Sequence, residues 1–318
     1  MTVPRHSNMT YDDHNPAGAA PVRARANEQQ ERPLDAAPPP VDFAAPERDP
    51  LGPPWQAQQQ YRADVPEDLR VPWGWVEVAF FVVLGIAGSI LVTWGLGQVA
   101  VRAFGVRSSQ VFGPTMSTAK SIVVLVSQTV LDGCALLYFY FMILTRTSAP
   151  FWKSIGWREM RPGTGTLRES ALQFLAGGAV LAVVVSFIGG FLNQKETLPI
   201  EELLRARVSM LLFGVLGVLV APLVEETIFR GFLYPVIARR VGVTAGIVIT
   251  GTFFGLMHAA QLWGGWGQIA LLILVGVVLT WVRARTGTVA TSYLMHLGYN
   301  GLQLAGFLIY VVGRGGRH

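Results

Sequence analysis

Seven long apolar stretches follow one another through the second part of the chain. They lie at about residues 76–100, 119–144, 170–192, 209–238, 243–262, 267–282 and 288–312. A helix needs roughly 20 apolar residues to cross the hydrocarbon core of a bilayer, and each stretch reaches or approaches that length. The stretches do not alternate as the strands of a membrane barrel do. The pattern predicts an all-α, polytopic transmembrane helical bundle of seven helices, or eight if the fourth stretch breaks at Pro222 or Pro235.

The first 70 residues have a different character. They contain 12 of the 19 prolines, and they lack both hydrophobic periodicity and the apolar core that a signal peptide carries near Met1. Such a segment cannot bury enough apolar surface to offset the entropy that it loses on ordering. We therefore divide the chain into a disordered Pro/Ala/Arg-rich tail, residues 1–70, and an integral membrane domain, residues 71–318. We interpret the tail as a solvated segment, and partner docking is the alternative.

Composition and charge agree with this division. Hydrophobic residues make up 51% of the chain and charged residues only 14%, whereas a soluble domain has about 25% charged residues. The net charge of +5 combines a tail with 7 basic and 11 acidic side chains and a membrane domain with 18 and 9. A basic excess in a membrane protein indicates loops that face anionic headgroups. We expect a cell-membrane location, membrane lipids as partners and no nucleic-acid binding, and the single Cys134 excludes a disulfide framework.

The distribution of basic residues also predicts an orientation. With a cytoplasmic tail, the segments next to the helices would hold 11 basic side chains on the cytoplasmic side and 8 on the other. The positive-inside rule therefore favours a cytoplasmic tail. The loop at 145–169 combines basic and aromatic residues, which predicts a short helix lying in the membrane interface.

Ionisable residues inside apolar stretches are costly, so each is a candidate functional residue. Apart from Lys120 at the start of the second stretch, they are Glu77, Asp132, Glu225, Glu226, Arg230, His258 and His296. We interpret Asp132, with Gln128, as a polar link between helices. A second acidic group, Glu201, Glu202 and Arg205, follows Pro199 in a polar loop and is interpreted as a solvated helix start.

The spacing of the remaining residues predicts that they meet. Glu225 lies 16 residues before a turn at about residue 241 and His258 lies 17 residues after it, so an antiparallel helix pair brings them level. His296 follows the turn at Gly287 by nine residues, which places it somewhat nearer the membrane surface. Glu226 and Arg230 have the spacing and order of a favourable ion pair within one helix. This pairing leaves Glu225 available for chemistry.

These residue types together are suited to amide hydrolysis. A carboxylate beside a histidine can hold a water molecule and remove its proton. A second histidine, His296, with Asn300 one helical turn away, offers hydrogen-bond donors to a developing oxyanion. Glu225, His258 and His296 could instead supply three zinc ligands with one open position. The cofactor is therefore none or a single zinc ion, and we favour the metal-free alternative because zinc coordination would compete with the role of Glu225 as a base.

At these residues the sequence resembles the CAAX prenyl protease and bacteriocin-processing (CPBP, or Abi) family of intramembrane proteases. The family pattern is EExxxR, FxxxH and HxxxN, and the chain has these motifs in that order at Glu225–Arg230, Phe254–His258 and His296–Asn300. The resemblance covers residues 205–312. It implies that Glu225 is the catalytic base, that His258 helps to position the water, and that His296 and Asn300 form the oxyanion site. Glu226, Arg230 and Phe254 would support these residues structurally.

The resemblance implies an endopeptidase whose substrate is a membrane-associated protein or peptide that enters from the membrane. Members of the family are often described as metalloproteases. The chain has only three lysines, a composition that suggests a bacterial source, for which prenylated substrates are not expected.

Two other functions fit the same polar residues. One is a non-catalytic bacteriocin-immunity or membrane scaffold protein of the same family, which would keep the polar cluster for packing. The other is a proton-coupled transporter with Glu225 and His258 as a proton relay. The sequence has no internal repeat of the kind that many transporters show, which favours the protease.

Overall fold

The computed structural model describes residues 66–160, 166–192, 200–201 and 207–315. Regular secondary structure in these ranges is helical throughout, with no strand. Of the predicted tail only residues 66–70 fall within them, so the prediction of disorder for the rest of the tail concerns residues outside the described ranges. The fold class predicted from the apolar pattern, an all-α bundle, is confirmed.

Nine helices in the described ranges are numbered here in chain order. They are Trp75–Ala103 (α1), Ser108–Phe112 (α2), Thr118–Leu144 (α3), Phe151–Ser154 (α4), Leu167–Gly189 (α5), Val208–Val241 (α6), Val243–Met257 (α7), Trp266–Thr286 (α8) and Val289–Gly315 (α9). A short 3₁₀ turn, Glu67–Leu69, precedes α1. All seven predicted stretches are therefore helices.

Five of these helices, α1, α3, α5, α6 and α8, are long and apolar enough to cross a membrane. Helix α7 is apolar but has 15 residues, and α9 has 27 residues but includes the polar residues His296, Asn300 and Gln303. Many apolar side chains on α1, including Val83 and Leu91, face outward. A contiguous apolar surface of this kind is what lipid tails cover in a multi-pass membrane protein.

Helix α6 lies at the centre of the bundle and contacts α3, α7, α8 and α9. It continues through Pro222 and Pro235, so the break that would produce an eighth crossing is not formed. Two wider π-helical turns, Leu216–Val220 and Thr227–Leu233, lie on either side of the short α-helical segment Ala221–Glu226. Such turns insert an extra residue into a helix and are common at functional sites.

A proline accounts for one contact that α6 makes. In the first π turn the Gly217 carbonyl would accept a hydrogen bond from residue 222, but Pro222 has no N–H to donate. The carbonyl accepts instead from the Asn300 side chain of α9, at 2.8 Å. In a membrane interior a neighbouring helix commonly satisfies a backbone group that proline has freed.

Small residues allow two pairs of helices to pack closely. At Gly178 of α5 a side chain would overlap the Met295 backbone of α9, and at Gly251 of α7 it would overlap the Val277 backbone of α8. Close backbone approach through glycine is the usual way in which membrane helices associate. These two contacts hold α9 and α8 in the positions from which they reach α6.

The residues just before α1 pack against the end of α6 and against α7. Leu69 is 2% exposed and lies in a cluster with Tyr234, Ala238 and Ile247. The sequence pattern had placed residues 66–70 in the tail, but a single apolar residue in a polar context gives no periodic signal. Leu69, which lies on the tail side of the predicted boundary at residue 71, therefore packs with the helices of the membrane domain.

The predicted interfacial helix at 145–169 is a single turn, α4, followed by a loop that packs into the bundle. Ile155 is completely buried, and its carbonyl lies so close to Gly231 of α6 that a side chain at Gly231 would overlap it. The Trp157 indole donates to the Thr227 hydroxyl at 3.0 Å. The loop thus supports α6 one residue beyond Glu226.

Candidate active site

The three residues predicted to carry the chemistry meet in the middle of the bundle. Glu225 of α6 has one carboxylate oxygen 3.8 Å from Nε2 of His258, at the end of α7, and the other 3.7 Å from Nε2 of His296 on α9. The side chains of Glu225 and His258 are 26% and 20% exposed, and that of His296 is buried. The carboxylate is therefore accessible from outside the protein while two imidazoles face it.

Both imidazoles have a fixed orientation. Nδ1 of His258 donates to the Phe254 carbonyl at 2.8 Å, and Nδ1 of His296 lies 2.9 Å from the Glu226 carboxylate. A carbonyl and an ion-paired carboxylate only accept, so each Nδ1 carries the proton. In the neutral imidazoles each Nε2 is then a free acceptor directed at Glu225.

Glu226 and Arg230 form the predicted ion pair, and it is completely buried. Arg230 Nη1 lies 2.8 Å from Glu226, while its other nitrogens donate to the Gly276 carbonyl at 2.8 Å and to the Thr280 hydroxyl at 3.2 Å on α8. Since a buried guanidinium is costly without partners, these contacts are what makes its burial possible. The pair joins α6, α8 and α9, because Glu226 also binds His296.

Thr280 and the Gly276 carbonyl were missed in the sequence. They belong to the support of the site rather than to its reacting groups. The only available signal was the pair of small residues Gly276 and Thr280 one turn apart in an otherwise apolar helix, and that pattern is too common in membrane helices to identify a partner for arginine.

The Phe254 ring contacts both the buried Arg230 and the two histidines. Its ring lies 4.6 Å below the Arg230 guanidinium and packs edge-on against His296, with ring centroids 5.6 Å apart. The ring also contacts His258, one turn later on the same helix. A cation over an aromatic face is a favourable contact that is strengthened by burial. Phe254 therefore packs between the buried ion pair and the two histidines.

His296 lies at the level of Glu225 rather than nearer the membrane surface. The turn before α9 is set into the bundle: the Val289 N–H donates to the Gly156 carbonyl at 2.9 Å, and Gly156 packs against Gly231 of α6. Helix α9 therefore starts beside Gly231, five residues beyond Glu226. Counting residues from the Gly287 turn placed His296 too near the membrane surface. The count does not include the depth of the turn itself, which is set by a contact with the loop at 155–158.

Asn300 lies one turn beyond His296, as predicted, and part of its amide has a structural role. One N–H donates to the Gly217 carbonyl. An amide carries two N–H groups, so a second donor remains. The contact orients the side chain at the first π turn of α6.

The other polar candidates have different surroundings. Gln128 donates to Asp132 at 2.8 Å within α3, so the link predicted between helices is formed within one helix. Glu201 is exposed, as expected for a solvated position, while Glu202 and Arg205 lie outside the described residues.

In the part of the chain that the structure describes, no group of three His, Cys, Asp or Glu side chains has the geometry of a metal site. Tetrahedral zinc holds ligands at about 2.0–2.2 Å and therefore roughly 3.4 Å from one another. The atoms of Glu225 and the two histidines are farther apart, at 3.7 and 3.8 Å. Glu225, His258 and His296 would be the ligands if a zinc ion were bound.

Comparison with known proteins bears on the segment that contains these residues. Residues 207–302 match the family model of type II CAAX prenyl endopeptidase Rce1-like proteins. The match confirms the resemblance drawn from the three motifs. At the level of the family, the match supports a CAAX-type intramembrane protease.

Similarity to an individual protein adds no further assignment of function. An Escherichia coli protein, described as an uncharacterized 24.3 kDa protein, is 28% identical over 176 residues, which is 52% of this chain and 74% of that protein. No solved structure is significantly similar to the chain.

Proposed function

We propose that the protein is an intramembrane endopeptidase that hydrolyses a peptide bond with a water molecule activated by Glu225. The observation that carries the proposal is the pair of histidines whose Nε2 atoms face one carboxylate at 3.7 and 3.8 Å. These distances are too long for direct hydrogen bonds and leave room for a shared water, which hydrogen-bonds at about 2.7–3.0 Å.

In the proposed reaction Glu225 takes a proton from this water while the water oxygen forms a bond to the carbonyl carbon of the substrate. His258 accepts a hydrogen bond from the water through Nε2 and holds it in line. The carbonyl oxygen becomes an oxyanion. Glu225 then gives its proton to the amine nitrogen as the carbon–nitrogen bond breaks, so the general base returns to its starting state.

His296 and Asn300 are the proposed donors to the oxyanion. His296 donates through Nε2 in its protonated form, and Glu226 stabilises the resulting positive charge through Nδ1, as a carboxylate does for the histidine of a serine protease. The free N–H of Asn300 is the second donor. Buried donors of this kind typically contribute a factor of about 10²–10³ to the rate.

The proposed substrate is a membrane-associated protein or peptide that enters from the membrane. The exposed fraction of Glu225 supports this, since the carboxylate is accessible although it lies near the middle of a helix that can cross a membrane. A cytoplasmic tail remains a prediction from the distribution of basic residues.

The decisive experiment compares protein termini, by mass spectrometry, in cells that express either wild type or Glu225→Gln at equal levels. We expect termini that occur only with wild type, because loss of a general base lowers the rate by about 10²–10⁴-fold. The matched control is Glu201→Gln, which removes an exposed carboxylate outside the site and should cleave normally.

If no termini differ between the two kinds of cells, while folded Glu225→Gln still replaces wild type in the cell, the proposal is contradicted and the scaffold function is favoured. Once a substrate is known, treatment of purified enzyme with a chelator tests the metal-free reaction. The rate should be unchanged, whereas a loss that added zinc restores would make Glu225 a ligand instead of the base.

A further inference from the structure

A groove lies between α1 and α3, away from the candidate active site. It has a volume of about 440 Å³ and opens at the outer surface of the bundle. Glu77 lies two residues after α1 begins, and Arg146 lies two residues after α3 ends. Positions at the ends of membrane-crossing helices lie at the depth of the lipid headgroups.

One end of the groove carries an ion pair between Glu77 and Arg146, whose side chains are 16% and 36% exposed. The second oxygen of Glu77 accepts from the Gly74 N–H at 2.7 Å, which fixes the carboxylate at the start of α1. Arg146 also reaches the Met142 carbonyl at 3.5 Å. The two charges are therefore held side by side, and their sum is zero.

The rest of the groove is apolar. Phe80 and Phe141 are largely exposed, and the wall between them is completed by Tyr138 and Met142. Tyr138 donates to the Glu77 carbonyl at 2.9 Å, so its hydroxyl points toward the charged end and its ring toward the groove. An apolar channel with a charged end at headgroup depth matches a phospholipid, which has an acyl chain attached to a polar head.

The ion pair discriminates among headgroups by charge and by hydrogen bonding. A phosphate accepts from the Arg146 guanidinium, and a primary ammonium donates to the Glu77 carboxylate. A purely anionic head would be repelled by Glu77, and a quaternary ammonium has no N–H to donate. We propose that this groove binds one phospholipid whose zwitterionic head carries a primary ammonium, with its phosphate at Arg146 and its ammonium at Glu77.

The test is native mass spectrometry of the full-length protein, purified in mild detergent and incubated with equal amounts of phosphatidylethanolamine, phosphatidylcholine and phosphatidylglycerol. We expect one phosphatidylethanolamine to be retained in preference to the other two. Equal retention of the three lipids, or a preference for phosphatidylglycerol, would overturn the proposal from the wild-type measurement alone.

Two variants assign the preference to the ion pair. Arg146→Gln should lower retention of phosphatidylethanolamine about fivefold, which is the effect of one charge near a headgroup. Glu77→Gln keeps an oxygen for the Gly74 N–H and should remove the preference over phosphatidylglycerol. Lys153→Gln, which removes an exposed basic residue outside the groove, is the matched control. Unchanged lipid selectivity in folded Arg146→Gln protein would also refute the site.

Discussion

Glu225 and Glu226 are neighbours with the same side chain, and their surroundings differ. Glu226 is completely buried, and one of its oxygens contacts both Arg230 and His296. Glu225 is partly exposed, and the imidazoles face it without direct hydrogen bonds. Because adjacent helix positions point about 100° apart, one carboxylate enters the packed interior while the other faces the opening. We therefore expect replacement of Glu226 to cost more stability than replacement of Glu225.

We expect Glu226→Ala to lower the free energy of unfolding by about 3–5 kcal/mol, since it leaves the Arg230 guanidinium buried without its counter-charge. The measurement is unfolding of the purified protein in detergent. Glu201→Ala removes an exposed carboxylate and should change the free energy by less than about 0.5 kcal/mol. If the two variants unfold alike, the buried pair does not hold α6 against α8 and α9.

At the scale of helices, the site depends on how closely α5 and α9 approach. Gly178 lies against the backbone of Met295 and Tyr299, and Met295 directly precedes His296. Gly177, the adjacent residue, has only an ordinary contact with the end of the Met295 side chain. The two glycines therefore differ in what an added methyl group would displace, although their intrinsic helix propensities are the same.

Gly178→Ala should force α9 away from α5 and cost about 1–3 kcal/mol in unfolding free energy, as overpacking of a filled interior does. Because α9 carries His296, the same change should lower cleavage of an identified substrate. Gly177→Ala is the control variant, and its unfolding free energy should stay within about 1 kcal/mol of the wild-type value. Equal effects of the two substitutions would show that the close approach of the helices is not needed.

At the scale of the whole domain, the segment before α1 joins helices that are far away in the chain. The Asp68 carboxylate lies 2.8 Å from the guanidinium of Arg283, near the end of α8. The Arg283 side chain is completely buried. Arg239 of α6 donates to the carbonyls of Val71 at 2.9 Å and Trp73 at 2.6 Å. These contacts attach the start of α1 to the ends of the helices that carry Glu225 and support Arg230.

We expect Asp68→Ala to lower the unfolding free energy by about 1.5–3 kcal/mol, because Arg283 loses a charge-assisted hydrogen bond inside the protein. Glu67→Ala is the neighbouring control. Glu67 pairs with Arg158, but its side chain is 82% exposed, and exposed ion pairs contribute at most about 1 kcal/mol. A loss of stability as large in Glu67→Ala as in Asp68→Ala would contradict this assignment.

The sequence by itself determined the helices and the identity of the candidate site residues. Apolar length reveals a membrane helix because lipid excludes exposed backbone groups, and rare ionisable residues within such helices stand out because their burial is costly. Each motif also lies within one or two helical turns, so its internal contacts, such as Glu226 with Arg230, follow from helix geometry.

Only the tertiary structure decided how the helices are offset and which groups complete the site. The level of His296 depends on the loop that holds Val289 at Gly156, and the partners of Arg230 on α8 depend on the close packing of Gly251 and Gly276. The contact between Asp68 and Arg283 joins residues 215 positions apart. Such contacts arise from packing between distant segments, and a local pattern of apolar and polar residues carries no information about the offset between helices.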